Sequence, residues 1–384
     1  MNSDSPIRVG SDCSGWGSEV FALTMLGLNV DHRFACDVAQ HSKTFIFNNC
    51  KPKVWYENCM IRNNQKTPSV DVYVAGFPCQ PFSSAGKNKG LRDDRGTVFD
   101  GIYDYIRHQT PTTFVLENVK NLTSSKHKST FHAILKLLGG LKCPENPKNT
   151  MYLLTWNIYN SKHFGVPQNR ERLYIVGIRR SNIAKLDWVR HNKKFTDMMN
   201  QCVMETPDIR SFLGHLKERT HQTVEDNINM HLRSAAFNNT AKKNLRNAMS
   251  QIRAAKLDLS NSDIVVDLPN GFSRTHLMYN MCPTITRTRG AREDFYLMST
   301  ARRLSVLDYM RLQGLDPDQM NLENLLYSEI GQLAGNAMTI PLLASILRAS
   351  LVLSGLAKDN KSSASSSSRS PMSLASRSSM SSST

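Results

Sequence analysis

Short apolar runs and amphipathic stretches alternate along the first 180 residues. IRVG at Ile7, HRFAC at His32, DVYVAG at Asp71, TFVLEN at Thr113, LLTWNIY at Leu153 and LYIVGI at Leu173 are rich in the β-branched and aromatic residues of strands. Between them lie SEVFALTMLG, VFDGIYDYIRHQ and TFHAILKLLGG, whose apolar positions recur at helical spacing. Strands alternating with helices of this length predict βαβ units, hence an α/β fold with a mostly parallel sheet. Ligands are expected at the carboxyl ends of such strands.

The pattern breaks at Leu186. From there the chain is rich in Asn, Lys, Arg and His and poor in β-branched runs. AKKNLRNAMSQIRAAKL reads as a helix carrying Lys242, Arg246, Arg253 and Lys256 beside an apolar strip of Leu245, Met249 and Ile252. A solvated face and a nucleic-acid contact both fit that arrangement. Order returns at Met281 and runs to about Ala357. IPLLASILRASLVLSGLA from Ile340 is interrupted by Arg348 and serines, and reads as a partly buried C-terminal helix. No apolar run reaches the roughly 18 residues of a membrane span, so no membrane partner is expected. From Ser362 to Thr384, 14 of 23 residues are serine, too polar to bury a core, and a disordered tail is expected. The chain thus divides into residues 1–185, 186–286, 287–357 and 358–384.

Composition narrows the partner. Lys and Arg outnumber Asp and Glu by 48 to 32 over 384 residues, a net charge of +16, which points to a polyanion. MNSDSPIRVG has no basic segment followed by an apolar core, so no secretory signal is read there. The eight cysteines form no C-x-x-C pair. Reduced thiols and no metal site are expected.

Four segments carry candidate chemistry. SGWGSE, from Ser14, follows a strand and opens a helix, and Asp37 ends the next strand 20 residues after Gly17. An acid at that offset accepts from ribose hydroxyls. The third glycine of a dinucleotide fingerprint is missing, which leaves room for an adenosyl ligand without phosphate; a glycine-rich turn of any α/β protein also fits. In VAGFPCQPFSSAGKNKGLRDDRG, Pro78-Cys79-Gln80 project from a strand end, and the polar loop from Ser83 to Gly96 suits closure over an anionic substrate. Glu117, in LENVKN, ends the fifth strand at the same sheet edge. In FGVPQNRERLYIVGIRR, Arg170 and Arg172 stand two apart on an extended segment and so share a face.

Taken in order, FPCQPFS, ENV, QNRER, RRLSVLDYMRLQGLDPD from Arg302 and GNAMTIPL from Gly335 resemble the motifs of the cytosine carbon-5 DNA methyltransferase family, from about Ile7 to Leu353 except for the middle segment. The resemblance implies a Rossmann-like, class I methyltransferase fold with S-adenosylmethionine as cofactor and double-stranded DNA as partner. It makes 1–185 and 287–357 the catalytic domain and 186–286 a small inserted target-recognition region. It assigns Cys79 as the nucleophile on carbon 6, Glu117 as the acid at N3, Arg172 as the partner of O2, and Arg170 as support for the loop or a phosphate. Cys13, Ser14, Gly15, Trp16 and Gly17 would line the methionine side. Asp37 would take the ribose and Val38 the adenine, with Asn58 and Cys59 nearby and Pro78, Asn336 and Ala337 closing the pocket. Gln80, Ser83, Lys87, Arg92, Gln168, Thr286, Arg287 and Arg289 are the expected DNA contacts.

Departures from the family pattern fall in the first motif and beyond it, with Asn58 standing where an Asp would hydrogen-bond the adenine amine. Ser11 and Cys13 hold the places of the first motif's Asp and Phe, with Asp12 displaced by one; later, Ser305, Leu315 and Ala337 replace Thr, Phe and Ser. A transfer-RNA methyltransferase of the same fold is one rival, disfavoured by Phe77, Cys282-Pro283 and Gln168. An inactive nucleic-acid-binding homologue is the other. The Ser/Arg tail, with Ser370-Pro371, suggests a regulatory kinase as partner, a nuclear location and epigenetic regulation; a compact enzyme of the bacterial cytoplasm or of viral origin also fits.

Overall fold

The computed structural model describes residues 1–78, 97–143, 147–180, 188–214, 220–261, 263–269, 271 and 275–359. Its centre is a seven-stranded sheet. β1 (Ile7–Asp12), β2 (Val30–Cys36), β3 (Val54–Tyr56), β4 (Val72–Gly76) and β5 (Thr113–Val119) are parallel neighbours in the order β3-β2-β1-β4-β5. β6 (Tyr152–Asn160) and β8 (Glu171–Arg179) complete it. β8 lies antiparallel to both β5 and β6. Between them, β7 (Gln168–Asn169) leaves the sheet to pair with a distant two-residue strand, Cys282–Pro283.

The period of two along β4 divides the core. Val72 and Val74 point to one face, with α1 (Ser18–Met25) and the C-terminal helices, whereas Tyr73 and Ala75 point to the other. That second face is covered by α3 (Val98–Gln109) and α4 (Lys128–Gly140), through Phe99, Ile102, Ile106, Phe131 and Ile134. Thr97 and Asp100 form a capping box that starts α3. α2 (Gln40–Asn49) connects β2 to β3.

The middle of the chain has a separate small core. α6 (His221–Arg233) and α7 (Asn239–Ala254) bury Val224, Ile228, Leu245, Met249 and Ile252. They pack on an antiparallel sheet of β9 (Ile264–Asp267), β10 (Leu277–Tyr279), β12 (Phe295–Leu297) and β13 (Arg302–Arg303); the strand paired with β7 is β11.

Two expected boundaries need correction. α5 (Trp188–Asn200), expected in the inserted region, places Phe195, Met198 and Met199 in the main core and packs on α11 (Ile340–Leu353). The small core instead extends to Tyr296, Met298 and Ala301, beyond the expected end at 286, because β12 is needed to close its sheet. Lys358 and Asp359, expected in the tail, are tied to the fold. Asn2 and Lys358 exchange backbone hydrogen bonds, and Arg348 pairs with Asp359. The serine-rich residues beyond lie outside the described residues.

α8 (Arg287–Arg292), α9 (Val306–Leu312), α10 (Tyr327–Asn336) and α11 bring the chain back to the first sheet. The Tyr327–Leu353 stretch is long and apolar enough to cross a membrane, contrary to the sequence expectation, but it is two helices and 72% buried inside the fold. α11 is more deeply buried than expected, with Ile340, Leu343, Ile346, Leu347 and Leu351 all in the core.

Candidate active site

The carboxyl ends of β1, β2, β4 and β5 and the start of α11's approach enclose a cleft of about 700 Å³. Its floor is the turn after β1. Cys13, Gly15 and Gly17 take left-handed φ values of 51°, 56° and 80°. Such a turn favours glycine and lets the backbone approach a ligand, and a Cβ at Gly15 would meet nothing within 4 Å. Ser14 ties the turn to β2: its Oγ donates to the carbonyls of Ser11 and Cys36 (3.1 Å each) and accepts from the Cys36 amide at 2.9 Å. The Asp37 carboxylate, at the end of β2, accepts from the amides of Gly15 and Ala39, both at 2.9 Å. It lines the cleft beside Val38, which is 80% exposed at the mouth.

Cys13, Ser14, Gly15, Asp37, Val38, Asn58, Cys59, Pro78, Asn336 and Ala337 all line this cleft. Trp16 and Gly17, expected with them, do not. Trp16 is fully buried against Phe45, and its indole donates to Ser18 Oγ at 2.8 Å. Gly17 is the N-cap of α1, turned toward Cys50.

The displaced Asp12 has a structural partner of its own. Its carboxylate receives both terminal nitrogens of Arg62, at 2.6 and 2.8 Å, and the Tyr73 hydroxyl. The Arg62 guanidinium is buried and lies 5.0–5.3 Å from the rings of Phe34, Tyr56 and Tyr105. The pair fastens the end of β1 to the loop after β3.

At the other end of the cleft, Glu117 is buried on β5 directly beside Gly76, the last residue of β4. A Cβ on Gly76 would stand 3.4 Å from Glu117 Oε2. Arg172 Nε lies 3.1 Å from Glu117 Oε1. Burial raises the carboxyl pKa above its usual value, and the charges of Arg172 and Arg170 partly offset the rise. Asn118, which the sequence reading passed over although it stands in the same ENV motif, donates to the Phe77 carbonyl at 2.9 Å. It thereby fixes the chain that leads to Pro78. Cys79, Gln80, Ser83, Lys87 and Arg92 lie outside the described residues.

Gln168 and Arg289, expected on DNA, are engaged inside the fold, and of the two roles expected for Arg170 the structure favours support of the chain over a phosphate. Arg170 reaches the cleft wall but is 2% exposed. Its guanidinium donates to the carbonyls of Ile285 (2.7 Å), Ala337 (2.7 Å) and Gly335 (3.3 Å), so it fastens the returning chain and is not free for a phosphate. Gln168 is fully buried, donating to the Leu312 carbonyl at 2.9 Å and accepting from the Ile285 amide at 3.3 Å; it cannot touch DNA. Arg289 is committed to Asp267 and Asp294, at 3.1 and 3.5 Å. Thr286 and Arg287 are exposed, and Arg287 stands at the cleft's edge. Among the described residues no cluster of His, Cys, Asp or Glu is placed to hold a metal ion.

Comparison with known proteins agrees with this layout. Type II methyltransferase M.NgoBI of Neisseria gonorrhoeae is 29% identical over 276 residues, covering 72% of each chain. M.HaeII of Haemophilus aegyptius is 29% identical over 285 residues, 73% of each. In fold, the chain is similar to S. pombe Dnmt2 methyltransferase (TM-score 0.55, 15% identity, 90% of this chain and 98% of that one). It is equally similar to a putative DNA modification methyltransferase encoded within an E. coli prophage (TM-score 0.56, 17% identity, the same coverage). The sequence relatives named here are bacterial, and they give the nuclear, epigenetic and kinase expectations no support. The family model for C-5 cytosine-specific DNA methylases matches residues 8–351. A match that runs from the first strand to the last helix makes this chain a member of the C-5 cytosine-specific DNA methylase family.

Proposed function

We propose that this protein transfers a methyl group from S-adenosylmethionine to carbon 5 of cytosine in double-stranded DNA. The observation that carries the reading is the buried Glu117–Arg172 pair beside Gly76, three residues before Cys79. The cleft also fits the cofactor: Asp37 presents a carboxylate pre-oriented by two backbone amides, suited to a ribose diol, and the turn at Gly15 leaves open space beside it. The cofactor would supply an electrophilic methyl on a cationic sulfur.

Carbon 5 of cytosine is a poor nucleophile. The Cys79 thiolate adds to carbon 6, a C–S bond forms, and the displaced electron pair makes carbon 5 nucleophilic. Glu117, whose carboxyl pKa is raised by burial, donates a proton to N3 as negative charge develops there. Arg172 stabilises O2. After methyl transfer the carbon-5 proton leaves, the 5,6 double bond re-forms, and the C–S bond breaks. Paired cytosine hides carbon 6, so the base is flipped out of the duplex. The helical module around α6 and α7 and the basic surface supply the DNA contacts, Thr286 and Arg287 among them.

The test is Cys79→Ala, assayed for methyl transfer to duplex DNA and for DNA binding. Transfer is expected to vanish while binding persists, and duplex containing 5-fluorocytosine is expected to trap a covalent adduct on the unaltered enzyme. Turnover near wild type in the variant, or label entering transfer RNA and never DNA, would overturn the reading.

A further inference from the structure

Glu19, in the first turn of α1, lines the same cleft and is 2% exposed. Its Oε1 accepts from Ser11 Oγ at 2.6 Å, and Ser11 Oγ is also 2.7 Å from Ser14 Oγ. No Lys, Arg or His among the described residues forms an ion pair with it, whereas Asp12 has Arg62 and Glu117 has Arg172. The first turn of a helix favours an acid by about 0.3–1 kcal/mol. That is small against the cost of burying an unpaired carboxylate, and burial lifts Glu19 to about 7 despite the hydrogen bonds from Ser11 and its own amide. A carboxylate held in this way is complementary to a cation that enters the cleft.

We propose that Glu19 binds the α-ammonium group of the cofactor's methionine moiety, with Ser11 orienting its carboxylate. This rests on the assignment of S-adenosylmethionine to the cleft. The placement supports it: Glu19 and Ser11 flank the Gly15 turn in sequence and line the cleft with Asp37 and with Met338, whose carbonyl accepts from Ser18 Oγ at 3.0 Å. An amino-acid ammonium needs an acceptor there, and Asp12 is already neutralised by Arg62.

The experiment measures binding of three ligands to the full chain by calorimetry: S-adenosylmethionine, S-adenosylhomocysteine, which keeps the ammonium but has a neutral sulfur, and 5′-methylthioadenosine, which has neither charge. Glu19→Gln should weaken the first two by roughly 10- to 100-fold, the range of a charge-assisted hydrogen bond, and leave the third unchanged. Equal affinities across all three ligands relative to wild type, or an equal loss across all three, would overturn the proposal; so would a loss confined to S-adenosylmethionine, which would mean pairing with the sulfonium. A double variant, Ser11→Asp with Glu19→Gln, moves the carboxylate by about one side-chain hydrogen bond and should recover the preference for S-adenosylhomocysteine. If the single variant does not unfold cooperatively, that preference in the double variant decides: retained, it supports the assignment, and lost, it refutes it. Wild-type protein that binds none of the three ligands would refute the cofactor reading itself.

Discussion

Replacing Arg170 with methionine separates two roles for one side chain. The aliphatic volume is kept and the guanidinium is lost. Two short hydrogen bonds then disappear, to the carbonyls of Ile285 and Ala337, and a longer one to Gly335. A buried carbonyl left without its donor costs about 1–3 kcal/mol. Counting the two short bonds, the loss is about 2–6 kcal/mol. It is lessened because Arg170 is itself unfavourably buried: desolvation pulls its pKa down to about 9, and its Nε has no partner. A net loss of about 3 kcal/mol is expected, a large part of the stability of an ordinary domain. Urea unfolding followed by far-UV circular dichroism measures it directly. The same variant should bind S-adenosylmethionine more weakly, because two of the carbonyls it releases, those of Gly335 and Ala337, belong to the cleft wall. If Arg170 instead held a phosphate, stability would change by less than about 1 kcal/mol, while the slope of log affinity against log salt would fall by about one. That pair of results would refute the structural role.

Glu117→Gln should lower the transfer rate by about 10²–10³-fold with cofactor affinity retained. Because burial raises the Glu117 pKa, the proton it donates is present at low pH and lost as pH rises through the shifted value. The variant's rate profile should therefore lack that alkaline decline, and a profile matching wild type would exclude Glu117 as the acid. Asp12→Asn strands the Arg62 charge among aromatic rings and should cost about 3–5 kcal/mol in chemical denaturation, whereas an unchanged midpoint would show that the pair is dispensable. Gly331→Ala puts a Cβ 2.3 Å from the Gly290 carbonyl oxygen, where α10 crosses α8. Overpacking there should lower stability by about 1–3 kcal/mol, read in a thermal melt.

The parts of this molecule that repeat with period two or 3.6 were legible from sequence, and the parts that depend on distant partners were not. All the long strands of the main sheet were anticipated. β3 escaped because three half-buried residues at a sheet edge make no alternating pattern. α2 escaped because its apolar residues, Phe45, Ile46 and Phe47, cluster rather than recur. Residues 170 and 172 were read as sharing a face. The chain leaves the main sheet at β7 and joins it again after Arg170, so one arginine turns to residues 285, 335 and 337 and the other to Glu117. Asp37, Glu117 and the glycine turn come to one cleft because each lies at or just past the end of a neighbouring strand, a position that sequence pattern marks. Trp16 was misplaced because a tight turn reverses side-chain direction within one residue. Glu19 draws no attention in the sequence because its meaning depends on Ser11, eight residues away, and on the lack of an ion-pair partner among the described residues.

The hydrogen bond from Ser18 to the carbonyl of Met338 joins residues 320 apart in the chain, and Gly335 sits against the backbone of Thr286. The wall of the cleft at Asn336 and Ala337 is thus supplied by a segment far along the chain from the turn that forms its floor. The parallel strands can pair before that segment is made, but the cleft remains open on one side until residues 335–338 reach it. A chain cut anywhere between β5 and α10 would keep the floor of the cleft and Glu117, yet would lack the wall at Asn336 and Ala337.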